Sequence, residues 1–595
     1  MRESLRGIAA MVVLAVRADR RRALAVAVLA PVASVATPLM SFSLKAITDG
    51  IVDGELARSV AGAATLAVLL GVTFAAALLV FAIGVALQER TDLVVDQRLV
   101  ELTASVPTVE HHERPEYLDR LEVLRRNRME LTSTVRAVVD SASAVVQLAV
   151  TAVLLLTIHP VLVLLPLVGV PSLAIAARTQ RRIQEVEDET AEDTRRALHL
   201  FDLATTAPAG KELRVFRLGD ELTRRYHDLW TATDRARDRA HLTAAVQRTL
   251  GWMVFALGYV GAMLLVAREA AAGRATPGDV MMALALAASL NMQVAGVAAS
   301  THWLLSALKT VGRYLWLLDY SRAARPTITD PAPVPDRLAR GIELDGVRFR
   351  YPGTDTDVLA GVDLFLPAGS TVAVVGDNGA GKTSLVKLLA RMYEPTAGAI
   401  RVDGVDLARM DPEEWRARMS GCFQDAARLE LLAVEAVGVG DLALLDDRAA
   451  VDAALARAGA GDVAGALPSG LDTQLGPSWD GGVDLSGGQW QKVALGRAMM
   501  REVPLLLVLD EPTSALDADT EHALFDRYHR AARDVAATTG GITVLVSHRF
   551  STVRMADLIV VVDGGRVVEA GSHDDLVARA GLYAELYELQ ARAYR

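Results

Sequence analysis

Gly376-Asp-Asn-Gly-Ala-Gly-Lys-Thr383 is the stretch on which the reading of this chain turns. It follows a short apolar run, Thr371 to Val375, and leads straight into a helical pattern, Ser384-Leu-Val-Lys-Leu-Leu-Ala-Arg-Met392. A strand-to-helix turn of this composition holds a polyphosphate. Glycines at 376, 379 and 381 let the backbone curl so that successive N–H groups point inward, and the following helix adds its positive end. Asp377, Asn378 and Ala380 fill the loop between them, with Ser384 just beyond. Lys382 is placed to reach the β- and γ-phosphates of such a ligand, and the Thr383 hydroxyl to hold Mg²⁺. The ordinary alternative is a flexible glycine loop with a chance lysine. Against it, only six of the 62 basic residues are lysines, and one of them stands here.

At 595 residues the chain is too long for one domain, and 52% hydrophobic residues with a mean hydropathy of +0.28 place part of it in a bilayer. A net charge of −10 without a sustained basic patch gives no support for nucleic acid as a partner. The single cysteine, Cys422, cannot form an intrachain disulfide and suits a reduced compartment. Residues 1–22 show no signal-peptide cleavage pattern and read as a basic amphipathic segment lying on the cytosolic membrane face.

A bilayer core of about 30 Å requires about 20 apolar residues in a helix. Six runs qualify: Ala23 to Leu44, Leu56 to Ala86, Asp140 to Ile158, Val161 to Ala177, Leu250 to Ala267, and Val280 to Leu305. The third and fourth meet at a His159-Pro160 break, and Thr276-Pro277 caps the sixth, whose pattern stays helical to about Tyr320. The links 88–139 and 178–249 are long and arginine-rich, which places them and both termini on the cytosolic side. They lack loop punctuation and read as helical extensions reaching about 40 Å into the cytosol. Their tips lie at His111 to Asp119 and Pro208 to Gly219, where Tyr117, Val215 and Phe216 read as apolar knobs for docking. Gln147, Asn291, Gln293 and His302 are the notable polar residues of the spans, better explained by helix-to-helix hydrogen bonds than by substrate contact. The expected division is a segment over 1–22, an all-α six-helix transmembrane domain over 23–320, a proline-rich linker over 321–340, and an α/β nucleotide-binding domain over 341–595.

In that last domain four apolar runs each end at a polar residue. Thr371 to Val375 leads to the phosphate loop, Gly421 to Phe423 to Gln424, Leu505 to Leu509 to Asp510 and Glu511, and Ile542 to Ser547 to His548. In a parallel sheet all four ends face one site. Asp510 is suited to hold Mg²⁺ through water, Glu511 to orient or deprotonate an attacking water, and His548 to contact that water and the γ-phosphate. Singly, each has an ordinary structural explanation; their joint order and spacing favour the catalytic one. Leu485-Ser-Gly-Gly-Gln489 precedes another helical pattern, Trp490 to Met500, and makes a second anion-binding helix start.

On these residues the chain resembles an ATP-binding cassette transporter of the exporter type, in half-transporter form. The resemblance implies that Gly376 to Thr383 is the Walker A motif, Leu505 to Asp510 the Walker B motif and Glu511 the catalytic glutamate. Gln424 matches the Q-loop, whose side chain also reaches the metal. Ser486, Gly487, Gly488 and Gln489 belong to the signature, Ser514 to Asp517 to the D-loop, and His548 is the switch histidine. Tyr351 matches the aromatic residue that stacks on adenine. The family pairs two cassettes head to tail, with each ATP between Walker A of one and the signature of the other, which implies a homodimer or a related second half-transporter. The tips Glu113 to Asp119 and Pro208 to Val215 resemble coupling helices. One departure stands just before the signature, where Ser478-Trp-Asp-Gly-Gly482 offers only Asp480 in place of a glutamate. No cysteine-peptidase domain precedes the first span, so leader cleavage is not expected. The expectation is an ATP-driven exporter in a bacterial plasma membrane, moving a lipophilic or amphipathic cargo, a drug, lipid, peptide or natural product, out of the cytosol by alternating access. One half of a heterodimer, an importer of the same fold, and an ATP-gated channel stay open.

Overall fold

The structure is a computed structural model and describes residues 2–206, 209–325, 328–512, 530 and 532–593. It forms two compact units, Met1–Leu102 with Arg120–Asp319, and Thr103–Asp119 with Tyr320–Arg595.

The first unit is helical. Among the described residues, six helices are long and apolar enough to cross a membrane: Arg20–Val52, Leu56–Ala104, Arg128–Ile158, Pro160–Glu189, Gly219–Ala271 and Pro277–Val297. Each covers the expected apolar run, and the sixth continues as helix to Ala323. The Gly219–Ala271 helix has 53 residues, about 80 Å at 1.5 Å each. It far exceeds the apolar core it would cross. At the 158/159 break, Pro160 has no N–H to continue the ladder, and the His159 ring instead accepts from Val161 N at 3.2 Å. At the start of the last helix, the Asp279 carboxylate accepts from Thr276 N at 2.9 Å and Thr276 Oγ1 accepts from Asp279 N at 3.1 Å, a reciprocal cap.

That cap belongs to a charged cluster which sequence reading did not find. Lys45 pairs with Asp279, while buried Asp49 accepts from Gly278 N at 2.8 Å and pairs with Arg58 at 3.4 Å. The ends of three long helices are thereby tied with every buried charge matched. A Cβ on residue 278 would strike the Asp49 carboxylate, so glycine is required there. Deeper in the bundle, Thr151 Oγ1 donates to Gln293 Oε1 and Gln293 Nε2 to Ser289 Oγ, both at 3.0 Å. The side chains of Asn291 and His302 lie outside the described set.

The second unit contains two sheets. Strands β1 (Gly341–Phe349), β2 (Leu359–Pro367), β4 (Ala397–Val402) and β5 (Val405–Asp406) form an antiparallel sheet in the order β2-β1-β4-β5. Strands β3 (Thr371–Val375), β6 (Met419–Cys422), β7 (Leu506–Asp510), β8 (Ile542–Val546), β9 (Leu558–Asp563) and β10 (Arg566–Gly571) form a six-stranded sheet in the order β10-β9-β3-β8-β7-β6. All its pairs are parallel except β9 with β10. Strands β7 and β8 are buried at every position, as expected for a parallel sheet covered on both faces.

Residues 103–119 fold into this second unit. Val109 N donates to Met392 O at 3.1 Å, Lys387 Nζ meets Glu113 at 3.0 Å, the Tyr393 hydroxyl donates to the same carboxylate, and Arg416 binds Pro107 O. Tyr117 corrects the sequence reading. It is 1% exposed, its ring 4.9 Å from His111 and 5.1 Å from Tyr320, so it packs inside its own unit and is no free knob. Val215, the last residue of the short helix Gly210–Val215 of the first unit, and Phe216, its C-cap, are 75% and 65% exposed. Pro208 lies outside the described residues.

Candidate nucleotide site

The parallel register sets the site. Asp510 pairs with Val546, Leu509 with Cys422, and Val374 with Val546. The chain therefore leaves β3, β6, β7 and β8 at one edge. Gly376, Gly379 and Gly381 take φ of +150°, +84° and +106°, and at residue 376 a Cβ would run into Val562 O. The helix then runs Lys382–Leu389, with Gly381 as its cap. It stops short of the expected Met392 because Arg391 turns to φ +52° and buries its guanidinium against Met410 O, Ala408 O and Glu394. Tertiary hydrogen bonds override helix propensity here.

Lys382 Nζ lies 2.7 Å from Gly376 O and 2.8 Å from Asp377 O, folded over the loop's own carbonyls. Burial lowers its pKa, opposed by the charges of Glu511 and Asp510. Asp510 is 2% exposed; burial first and the Glu511 charge second push its carboxyl up to about 6, against a hydrogen bond from Thr383. Among the described residues its Oδ2 has no hydrogen-bond partner. A buried, orphaned carboxylate oxygen beside a threonine hydroxyl fits Mg²⁺ held through few protein ligands, with phosphate and water supplying the rest.

Glu511 holds the centre. Its backbone sits at φ +48°, uncommon for a residue with a side chain. Glu511 Oε2 accepts from Gln424 Nε2 at 3.1 Å, and Oε1 lies 3.2 Å from His548 Nδ1. Gln491, which sequence reading missed, donates to Glu511 O at 3.1 Å; nothing in its local pattern marks it. Tyr351 rests edge-on against Phe349 and Tyr393, its hydroxyl 3.0 Å from Ser384 Oγ. It lines a cleft of about 350 Å³ with Thr108, Glu110, Arg114 and Thr354.

The signature residues stand at the start of the Gly487–Ala498 helix, three residues earlier than the expected Trp490. Ser486 and Gln489 cap each other, Gln489 N to Ser486 Oγ at 3.3 Å and Ser486 N to Gln489 Oε1 at 2.9 Å. Leu485 and Trp490 pack into a core with Cys422 and Leu509, apart from the core that holds Ala380 and Leu385. Ser514 to Asp517 lie outside the described residues.

A phosphate loop, an orphaned acid and a carboxylate gripped by an amide and an imidazole at one sheet edge define a P-loop NTPase, carried here by a chain with membrane-length helices. Comparison with known proteins agrees. A family model described as ABC transporter matches residues 359–514. The chain is 32% identical over 440 residues to an ATP-dependent lipid A-core flippase of Methylococcus capsulatus, covering 73% of this chain and 69% of that protein. For the flippase of Xylella fastidiosa strain 9a5c the values are 30% over 419 residues, 70% and 68%. With that of Chromohalobacter salexigens it shares 34% over 349 residues, spanning 58% of that protein's length. In fold it is similar to a solved bacterial Atm1-family ABC exporter with ATP bound, with a TM-score of 0.76, 24% identity, and coverage of 96% of this chain and 98% of that one. The chain belongs to the ABC transporter family, whose members couple a cassette ATPase to transport across a membrane.

Proposed function

We propose that the chain is an ATP-driven exporter of a lipid-like amphipathic molecule, acting as a dimer in a bacterial plasma membrane with its termini in the cytosol. The observation that carries this reading is Glu511, held in a left-handed backbone turn between Gln424 and His548 beside the phosphate loop. A carboxylate fixed by two side chains is pre-aimed at one position, as a residue that orients or deprotonates an attacking water must be. In this reading the loop amides and Lys382 bind the β- and γ-phosphates, Tyr351 stacks on adenine, and His548 steadies water and γ-phosphate. Thr383, Asp510 and Gln424 would hold Mg²⁺, which neutralises charge developing on the phosphates.

The dimer is supported by the separation of the two anion-binding helix starts into different cores of one unit. The exposed Val215 and Phe216 support docking on a second copy. ATP would close two cassettes, the docked tips would transmit the closure, and the spans would alternate between inward and outward access. The relatives' name supports a lipid class of cargo.

The test is ATP hydrolysis by the purified chain in lipid nanodiscs, for wild type and Glu511→Gln, beside movement of a fluorescent lipid between leaflets of proteoliposomes. Removing the positioned base should lower kcat by about a hundredfold or more and abolish ATP-dependent lipid movement. Equal hydrolysis by the variant would remove Glu511 from its role; hydrolysis without lipid movement would remove the cargo class.

A further inference from the structure

The last described helix, Leu582–Ala593, is not part of the nucleotide site, yet it ends on it. Tyr583, Leu586, Tyr587 and Gln590 fall at i, i+3, i+4 and i+7, one face of a helix. The first three are apolar or aromatic and pack as that spacing requires. Tyr583 is fully buried, lies 5.3 Å from the Phe550 ring and meets His573 Nδ1 with its hydroxyl at 2.8 Å; Tyr587 lies 5.8 Å from Phe550. This core also contains Ala373 and Val375 of β3, the strand that ends in the phosphate loop.

The fourth residue of the stripe is an amide where a further apolar side chain would continue the pattern. Gln590 Nε2 donates to His548 O, and its Oε1 accepts from Phe550 N at 3.2 Å. One side chain thus satisfies the two peptide groups that flank Arg549, in the manner of an added rung of β-ladder. The other side of the turn is fixed by Ser547, which accepts from Arg549 N at 3.0 Å and lies 3.3 Å from Thr552 Oγ1. The His548 ring itself is 54% exposed on its side chain, and Glu511 is the partner it reaches. Its placement is therefore set from its backbone as well as by Glu511.

We infer that Gln590 is a positioning residue for His548, and that the Leu582–Ala593 helix is a strut which fixes this histidine relative to the phosphate-loop strand. The inference rests on the hydrolytic reading of His548 given above. It predicts that the Leu582–Ala593 helix, whose Gln590 lies 42 residues along the chain from His548, sets turnover without taking part in nucleotide binding.

The experiment compares full-length wild type, Gln590→Leu, His548→Ala and the double variant in nanodiscs, measuring kcat and KM for ATP, binding of a fluorescent ATP analogue, and thermal midpoint. Gln590→Leu keeps the volume and apolar contacts of the stripe but removes both hydrogen bonds. Its kcat should fall about tenfold or more, the cost of a misplaced group, with KM and analogue binding changed less than twofold. Added to His548→Ala it should cost nothing further, because a strut has no effect once the group it holds is gone. A Gln590→Leu kcat within twofold of wild type, or a loss that multiplies in the His548→Ala background, overturns the inference. If His548→Ala itself keeps wild-type turnover, the reading of His548 fails and the inference with it. Should Gln590→Leu fail to fold, Gln590→Asn, one methylene short of both peptide groups, is measured by the same criteria. A helix with a merely structural role would lower the thermal midpoint and analogue binding together and leave the His548 background additive.

Discussion

Glu113→Ala tests the joint between the segment 103–119 and the cassette on which it lies. Glu113 has two partners there, Lys387 Nζ at 3.0 Å and the Tyr393 hydroxyl. Tyr393 is 2% exposed, and burial together with the Glu113 carboxylate holds its phenol well above the usual value, so the proton stays on the phenol and is donated. A hydrogen bond to a charged acceptor contributes about 1.5–3 kcal/mol. The Lys387 pair is half-exposed on the Glu113 side, 42%, and adds only about 0.5–1 kcal/mol after screening. Alanine should therefore weaken the joint by roughly 2–4 kcal/mol, about 30- to 1,000-fold in its opening equilibrium at 1.4 kcal/mol per decade. Hydrogen exchange reads this directly, because Val109 N–H is bonded to Met392 O across the joint. Exchange at Val109 should quicken by that factor while amides of β3, β7 and β8 keep their protection. Glu113→Gln retains an acceptor and should cost no more than about tenfold. An unchanged Val109 rate in Glu113→Ala would refute the assignment of the joint to this carboxylate. Equal acceleration throughout β7 and β8 would mean that the residue supports the whole unit.

Three further outcomes follow from the same geometry. Gly376→Ala forces a Cβ toward Val562 O at φ +150° and should weaken binding of a fluorescent ATP analogue about tenfold or more, for about 1–3 kcal/mol of strain. Asp510→Asn removes the orphaned charge beside Thr383, and the Mg²⁺ concentration for half-maximal ATPase should rise at least about tenfold. His111 is buried against His112, Tyr117 and Tyr320, and burial first, then the His112 charge, lowers its pKa from the usual 6.5 to about 4. The unfolded chain takes up this proton below about 6.5 and the folded one only near 4, so stability is full above that window and lost as pH falls through it. The fall in thermal midpoint between pH 7.5 and 5 should be smaller in His111→Phe, which cannot titrate, than in wild type.

What could be read in the sequence was whatever physics writes locally. Each parallel strand is a short apolar run because both faces are covered, and it ends at a polar residue because the sheet edge is wet, so Gln424, Asp510, Glu511 and His548 announce themselves by position. The apolar runs of the six membrane-length helices among the described residues are legible for a similar reason, since a bilayer core sets how long such a run must be. Partnerships across long sequence separation leave no such mark. Glu113 and Lys387 stand 274 residues apart, Gln590 and His548 42, Lys45 and Asp279 234. Tyr117 was misread because a place at the tip of an extension says nothing of what that tip meets. Gln590 could have been noticed, since a polar residue at i+7 of an aromatic stripe asks for a buried partner.

The two helix starts proposed to bind phosphate share one further property. Each already holds some polar groups on partners within the chain: Lys382 Nζ lies on two loop carbonyls, and Ser486 and Gln489 cap each other. A phosphate arriving at either one must displace these bonds, so the net gain is the difference between charge-assisted contacts and the neutral ones given up. A nucleotide bridging both, on two copies, would gain at two places while paying its translational entropy once. In the proposed dimer ATP would therefore bind weakly to one cassette and strongly to two, with the closing force at the interface.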